Sequence, residues 1–152
     1  MTRYRKDLPV ADITYTAVAT STAEGRNGAR ATSDDGALDI TLAVPKALGG
    51  AGGGSNPEQL FAAGWASCFV GAVRRVAAAK KVTPRDLAVV AEVTLHHDTE
   101  RDEFRLSAAL HLEVSGIDQQ TADELVAGAH LVCPYSKATR GNIEVELDAT
   151  VA

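Results

Sequence analysis

From Phe104 to Ser115 hydrophobic and polar residues alternate. Phe104, Leu106, Ala108, Leu110, Leu112 and Val114 fall on one side, and Arg105, Ser107, His111, Glu113 and Ser115 on the other. Successive strand side chains point to opposite faces, so this pattern predicts a strand with one face on a core. Ile143–Val151 repeats it: Ile143, Val145, Leu147, Ala149 and Val151 oppose Glu144, Glu146, Asp148 and Thr150. Val89–His97 has the same period but is more apolar, and Asp98–Asp102 reads as the hairpin connection between two of these strands. Nearer the start, Asp12–Ser21 and Ala37–Val44 also read as strands. Arg26-Asn27-Gly28 and Ser33-Asp34-Asp35-Gly36 are turn signals between them, predicting a meander with a short middle strand.

Two segments follow a helical period. The first opens at Ser55-Asn56-Pro57-Glu58-Gln59, where Asn56 suits the N-cap, Pro57 the first helical position, and Gln59 a capping-box partner. It is predicted to run to about Lys80. It is nearly apolar on all sides through Val73, which predicts burial all round. The second takes Asp118 or Thr121 as its cap. Ala122, Leu125, Val126, Ala129, Val132 and Cys133 then recur at i, i+3, i+4 and i+7, until Pro134 is expected to stop the helix. The order is three strands, helix, two strands, helix, strand. This predicts an α+β architecture with an antiparallel sheet covering a central helix.

Composition narrows the function. The 152 residues suit one domain, 45% are hydrophobic and 23% charged, and the formal net charge is −5. An acidic chain is a poor match for nucleic acid or an anionic membrane surface. Basic residues at Arg3, Arg5 and Lys6 precede no hydrophobic run, so no signal peptide is expected. The nearly apolar run Leu60–Val73 is short for a bilayer and ends in Arg74 and Arg75, which reads as a buried helix. The glycine-rich stretch Gly49–Gly54 lacks the Gly-Lys-Ser/Thr ending of a phosphate loop and reads as a loop feeding the first helix.

Chemistry rests on Cys68 and Cys133. Two cysteines without an export signal are not a disulfide scaffold. With His96, His97, His111 and His130 they form no metal-ligand spacing, so no metal is expected. Cysteine is commonly a small buried hydrophobe, and each cysteine has that reading. Against it, each lies on a different helix facing one core, with polar neighbours: Ser67 beside Cys68, and His130, Tyr135 and Ser136 around Cys133. A reactive thiol needs a positive partner to hold its thiolate, and the residues alone do not identify that partner.

Several segments resemble the organic hydroperoxide resistance (Ohr) branch of the OsmC/Ohr family. They are Gly25-Arg26-Asn27-Gly28, Ser33-Asp34-Asp35-Gly36-x-Leu38-Asp39, Leu48-Gly49-Gly50, Asn56-Pro57-Glu58-Gln59-Leu60-Phe61-Ala62-Ala63-Gly64, Ala66-x-Cys68-Phe69 and Ala129-His130-x-x-Cys133-Pro134-Tyr135-Ser136-x-Ala138-Thr139-Arg140-Gly141-Asn142. The likeness runs from about Tyr15 to Leu147. It implies a single OsmC-like domain over residues 1–152, with 1–11 as an N-terminal extension. The implied fold has antiparallel sheets around a long central buried helix, in an intertwined homodimer. It also implies a cytoplasmic thiol peroxidase acting on organic and fatty-acid hydroperoxides. Cys68 matches the peroxidatic cysteine, Cys133 the resolving one, Arg26 the arginine beside the thiolate, and Glu58 the carboxylate that orients it. No cofactor is implied; a dihydrolipoyl group on a lipoylated protein is the implied reductant. Glu24, where the family often has glycine, and Lys137, where asparagine is common, depart from the pattern.

Geometry adds one constraint. Glu58 and Cys68 lie ten residues apart, about 15 Å along one continuous helix, and point in different directions. Two antiparallel copies of the helix crossing near Ala63 bring Glu58 of one chain to Cys68 of the other, and the small residues Ala62, Ala63, Gly64, Ala66 and Ser67 permit a close crossing. Phe61, Trp65 and Phe69 read as core or as lining for an alkyl chain. His130 is expected to make a structural hydrogen bond, and Arg140 a structural salt bridge. The competing readings are an OsmC-type peroxidase of different peroxide preference, and a non-catalytic ligand-binding dimer with inert cysteines.

Overall fold

A computed structural model describes residues 13–22 and 24–152. The expected extension over residues 1–11, and Asp12 at the head of the first expected strand, lie outside the described residues. The chain forms two compact units, Met1–Ser55 and Asn56–Ala152.

The first unit holds the meander. Strands β1 (Ala19–Ser21), β2 (Arg30–Ser33) and β3 (Asp39–Thr41) pair antiparallel in that order. β1 and β3 are shorter than the alternation predicts. Both expected turns form: Arg26 sits exposed in a turn over residues 24–28, and the second turn is closed by the Leu38 amide donating to Ser33 Oγ at 2.9 Å. Across β2 and β3, Arg30 Nε donates to Asp39 Oδ1 at 2.6 Å. After β3 a 3-10 turn, Lys46–Leu48, leads into the glycines. A Cβ on Gly50 would lie 2.0 Å from the Val44 carbonyl oxygen, so the loop folds back on itself as only glycine permits.

The second unit runs α1 (Pro57–Lys80), β4 (Arg85–Asp98), β5 (Glu103–Ser115), α2 (Gln119–Val132), α3 (Pro134–Thr139) and β6 (Glu144–Val151). Asn56 caps α1 as expected, its Oδ1 accepting from the Gln59 amide at 2.9 Å. Asp118 caps α2, accepting from the Thr121 amide at 2.7 Å. β4 and β5 form the expected antiparallel hairpin, with Leu95 opposite Leu106 and Ala91 opposite Leu110. β6 then pairs with β5 in parallel, Leu110 opposite Leu147. The sheet is therefore mixed, where an antiparallel one was expected: the crossover through α2 and α3 returns the chain to the same end of the sheet, which makes the next neighbour parallel.

Trp65, Phe69 and Val73 of α1, Leu110, Leu112 and Val114 of β5 and Leu125 of α2 are fully buried together. Phe104, expected on this face, lies beyond it near the hairpin and stacks on His97 with ring centroids 4.2 Å apart. Helix α1 is long and apolar enough to cross a membrane by length and composition. In this unit it is the core helix, packing against β4 and α2. It does not bury itself all round, as its apolar sequence predicts. Its buried residues are Trp65, Phe69, Ala72, Val73 and Ala77, while Gln59, Ala63, Ser67 and Gly71, spaced four apart, are exposed.

Candidate active site

Cys68 lies near the middle of α1, one residue before the buried Phe69, and is half-buried. Cys133 is fully buried between α2 and α3. Pro134 was expected only to end a helix; it ends α2 and starts α3, because proline is well suited to a first helical position. The residue between is held extended, φ −60° and ψ 125°, by the proline that follows it. The Cys133 amide donates to the Ala129 carbonyl at 2.8 Å, and its own carbonyl accepts from the Lys137 amide at 2.9 Å. Both flanking helices therefore fix its backbone.

This brings together two side chains 65 residues apart: Cys133 Sγ donates to Cys68 Sγ at 3.4 Å. The sulfurs are free thiols. Burial pushes the Cys68 thiol above its ordinary value of 9.0; the Tyr135 amide, hydrogen-bonded to the sulfur, pulls it back, and the Cys133 thiol beside it pushes it up again. Desolvation disfavours the charged form, so Cys68 needs a cation to become a nucleophile at neutral pH.

The contact between α1 and α3 that holds the sulfurs is partly polar. Trp65 Nε1 donates to Ser136 Oγ at 3.2 Å, and both residues are fully buried. Phe61 packs edge-on to Trp65, centroids 5.5 Å apart, and tilts against Tyr135 at 6.1 Å. A Cβ on Gly64 would meet the Tyr135 hydroxyl oxygen at 3.0 Å, so the glycine lets Tyr135 lie flat on α1. Sequence reasoning placed Tyr135 and Ser136 beside Cys133 without their contacts to α1. On the solvent side of Cys68 a cleft of about 460 Å³ opens, walled by Ala72, Val132 and Pro134 and carrying Arg75 and Lys137.

Arg26 lies in the first unit's turn and Glu58 in the first turn of α1, half-buried. Arg140 makes a backbone contact where a salt bridge was expected, donating to the His130 carbonyl at 2.8 Å. The ring of His130, expected to be hydrogen-bonded, leaves Nδ1 buried without a partner. Burial, with the Arg140 charge nearby, holds this histidine below its ordinary 6.5. His96, His97 and His111 pair at the sheet surface with Ser107, Asp102 and Asp148. No group of His, Cys, Asp or Glu suited to a metal ion occurs among the described residues.

Two free thiols carried on different helices thus face each other at 3.4 Å. The chain belongs to the OsmC-like protein family, whose pattern matches residues 50–148. The organic hydroperoxide resistance protein of Xanthomonas axonopodis pv. citri is 49% identical over 137 residues, covering 89% of this chain and 94% of the relative. A crystal structure of an organic hydroperoxide resistance protein OsmC from Legionella pneumophila superposes with a TM-score of 0.85 at 45% identity, covering 92% of this chain and all of that one. A second, of an organic hydroperoxide resistance protein from Elizabethkingia anophelis, gives a TM-score of 0.84 at 40% identity, covering 92% and 99%. Within the family the chain falls in the organic hydroperoxide resistance branch.

Proposed function

We propose that this protein is a cysteine-based peroxidase that reduces organic hydroperoxides to alcohols. The observation that carries the reading is the 3.4 Å approach of Cys133 Sγ to Cys68 Sγ. A disulfide needs about 2.05 Å between sulfurs, a short further approach. The names of the similar proteins support the substrate class.

The Cys68 thiolate attacks the terminal oxygen of ROOH; an S–O bond forms, the O–O bond breaks, and the departing RO⁻ takes a proton to become the alcohol. Cys133 then attacks the Cys68 sulfenic acid; the S–S bond forms, the S–O bond breaks, and water leaves. Closure protects the sulfenic acid from irreversible oxidation to sulfinic acid. Arg26 supplies the positive charge that holds the thiolate and the developing alkoxide, because a guanidinium fork can serve two anions at once. Glu58 orients that fork through paired hydrogen bonds, acting from the partner chain of a homodimer. A dihydrolipoyl group on a lipoylated protein returns two electrons and two protons, and the reaction runs in the cytoplasm. These roles of Arg26 and Glu58, and the reductant, rest on the sequence resemblance.

The test is intact mass and peptide mapping of reduced protein after one equivalent of tert-butyl hydroperoxide, with hydrogen peroxide in parallel. The expected result is a two-proton mass loss mapped to a Cys68–Cys133 disulfide, faster with the organic peroxide. Thiols unchanged at high excess would assign both cysteines to the core and leave a ligand-binding protein.

A further inference from the structure

Once the two sulfurs are joined, a reductant has two atoms it could attack, and the fold buries them unequally. Cys133 is 0% exposed and belongs to the core cluster with Trp65, Phe69, Leu125 and Ala129. Its backbone is held from both sides, by the Ala129 carbonyl and the Lys137 amide. Beside it the bond from Trp65 Nε1 to Ser136 Oγ joins two fully buried residues. Cys68 is only half-buried. A second chain laid on α1 can only cover Cys133 further, so its inaccessibility holds in any assembly. Disulfide closure changes little: the sulfurs start 3.4 Å apart and end about 2.05 Å apart. Disulfides are reduced by attack of a thiolate on one sulfur, through a mixed disulfide, and access helps decide which sulfur that is. To reach Cys133 an entering sulfur must pass through the core. To reach Cys68 it needs only the side that a peroxide also uses.

We propose that the reducing thiol enters at Cys68, and that Cys133 never bonds to a molecule from solution. The proposal rests on the peroxidase reading for the presence of the disulfide in the working cycle. The reductant's thiolate attacks Cys68 Sγ. An S–S bond forms between reductant and Cys68, the Cys68–Cys133 bond breaks, and Cys133 leaves as a thiolate that takes a proton. A second thiol of the reductant then attacks the reductant's own sulfur in the mixed disulfide. The reductant closes to a disulfide, and Cys68 is released with the second electron pair. Cys68 therefore acts twice, as nucleophile toward peroxide and as electrophile toward the reductant. Cys133 acts only within the protein.

The test starts from disulfide formed with diamide, so no peroxide is involved. 2-Mercaptoethanol is added to the folded protein, early samples are quenched in acid, and the free thiols are alkylated with N-ethylmaleimide in denaturant before peptide mapping. The expected first product carries mercaptoethanol on Cys68 and maleimide on Cys133. A first product with mercaptoethanol on Cys133, or on both equally, overturns the proposal. So does a disulfide that the thiol fails to open in folded protein. Single-cysteine variants read the same access without exchange. In Cys68→Ser, Cys133 should react with iodoacetamide more than about tenfold more slowly in folded protein than in urea, because it waits for local opening. Cys68 in Cys133→Ser should outpace it in folded protein, and equal rates overturn the proposal. A Cys68 adduct in protein whose thiols no peroxide oxidises leaves the entry route standing and removes the peroxidase reading. Rapid oxidation by peroxide with the adduct on Cys133 does the reverse.

Discussion

At the scale of single residues the site sets up an electrostatic contest. Burial and the neighbouring Cys133 thiol push the Cys68 thiol upward, and within its own unit one backbone amide, that of Tyr135, opposes them. Only the thiolate attacks peroxide, so the rate must rise with pH until Cys68 is fully ionised. If Arg26 supplies the opposing charge, removing it leaves the raised thiol uncompensated. The Arg26→Gln variant should therefore move the midpoint of Cys68 ionisation to higher pH. Peroxide reduction at pH 7 should slow as the thiolate fraction falls, by up to about tenfold for each pH unit that the midpoint rises. Stopped-flow rates with tert-butyl hydroperoxide between pH 5 and 10, beside ultraviolet titration of the thiolate, measure both. An unchanged midpoint would take the thiolate-stabilising role away from Arg26. The candidate residues themselves were legible in the chain, since two cysteines stood out against an ordinary globular composition. Their closeness was implied only by the family resemblance, which pairs a peroxidatic with a resolving cysteine: 65 residues and a change of helix separate them, and no local pattern encodes a tertiary contact.

Secondary-structure elements decide whether the two sulfurs meet. α1 was readable end to end because its start is written in a cap, Asn56, and a proline, Pro57, and its apolar content is sustained for many turns. α3 was not. Six residues are too few for a 3.6-residue period to declare itself, and Pro134 gives the same signal whether it stops one helix or begins another. Nor could alternation alone distinguish β6 as parallel, because a strand exposed on one face has the same period in either direction. Yet α3 positions Cys133, the proposed resolving cysteine, through the bond from Trp65 Nε1 to Ser136 Oγ. In the Ser136→Ala variant the buried indole N–H loses its acceptor, which should cost about 1–3 kcal/mol of stability by denaturant unfolding. The same loosening should slow disulfide closure, so that a second equivalent of peroxide yields more Cys68 sulfinic acid, read as added mass on its peptide. Trp65→Phe should raise that fraction as well, and the double variant should be less impaired than the sum of the two, as expected for partners in one contact. Additive effects would mean that the two residues act independently.

Across the whole molecule the exposed stripe of α1 is the feature that the isolated chain leaves unexplained. A helix whose sequence predicts burial on every side leaves Gln59, Ala63, Ser67 and Gly71 in solvent, and Ser67 Oγ turns its polarity inward by bonding to the Ala63 carbonyl at 2.8 Å. Small side chains at a spacing of four allow two helix backbones to approach closely, so a second copy of α1 is the natural cover. The constraint from Glu58 and Cys68 agrees: about 15 Å apart along one helix, they can meet only between two copies. In the proposed homodimer this stripe would tie assembly to activity, each site taking its carboxylate from the neighbouring chain. Ala63→Arg places a long charged side chain at the expected crossing, where it is solvated in the monomer and clashes in the dimer. Sedimentation equilibrium of the native protein should give the dimer mass and of the variant the monomer mass, with the circular dichroism spectrum retained. Peroxide reduction by the variant should fall in step with the dimer fraction and recover with rising protein concentration. A monomeric Ala63→Arg protein that reduces tert-butyl hydroperoxide at the native rate would show that one chain holds the whole site, and that Glu58 takes no part in it.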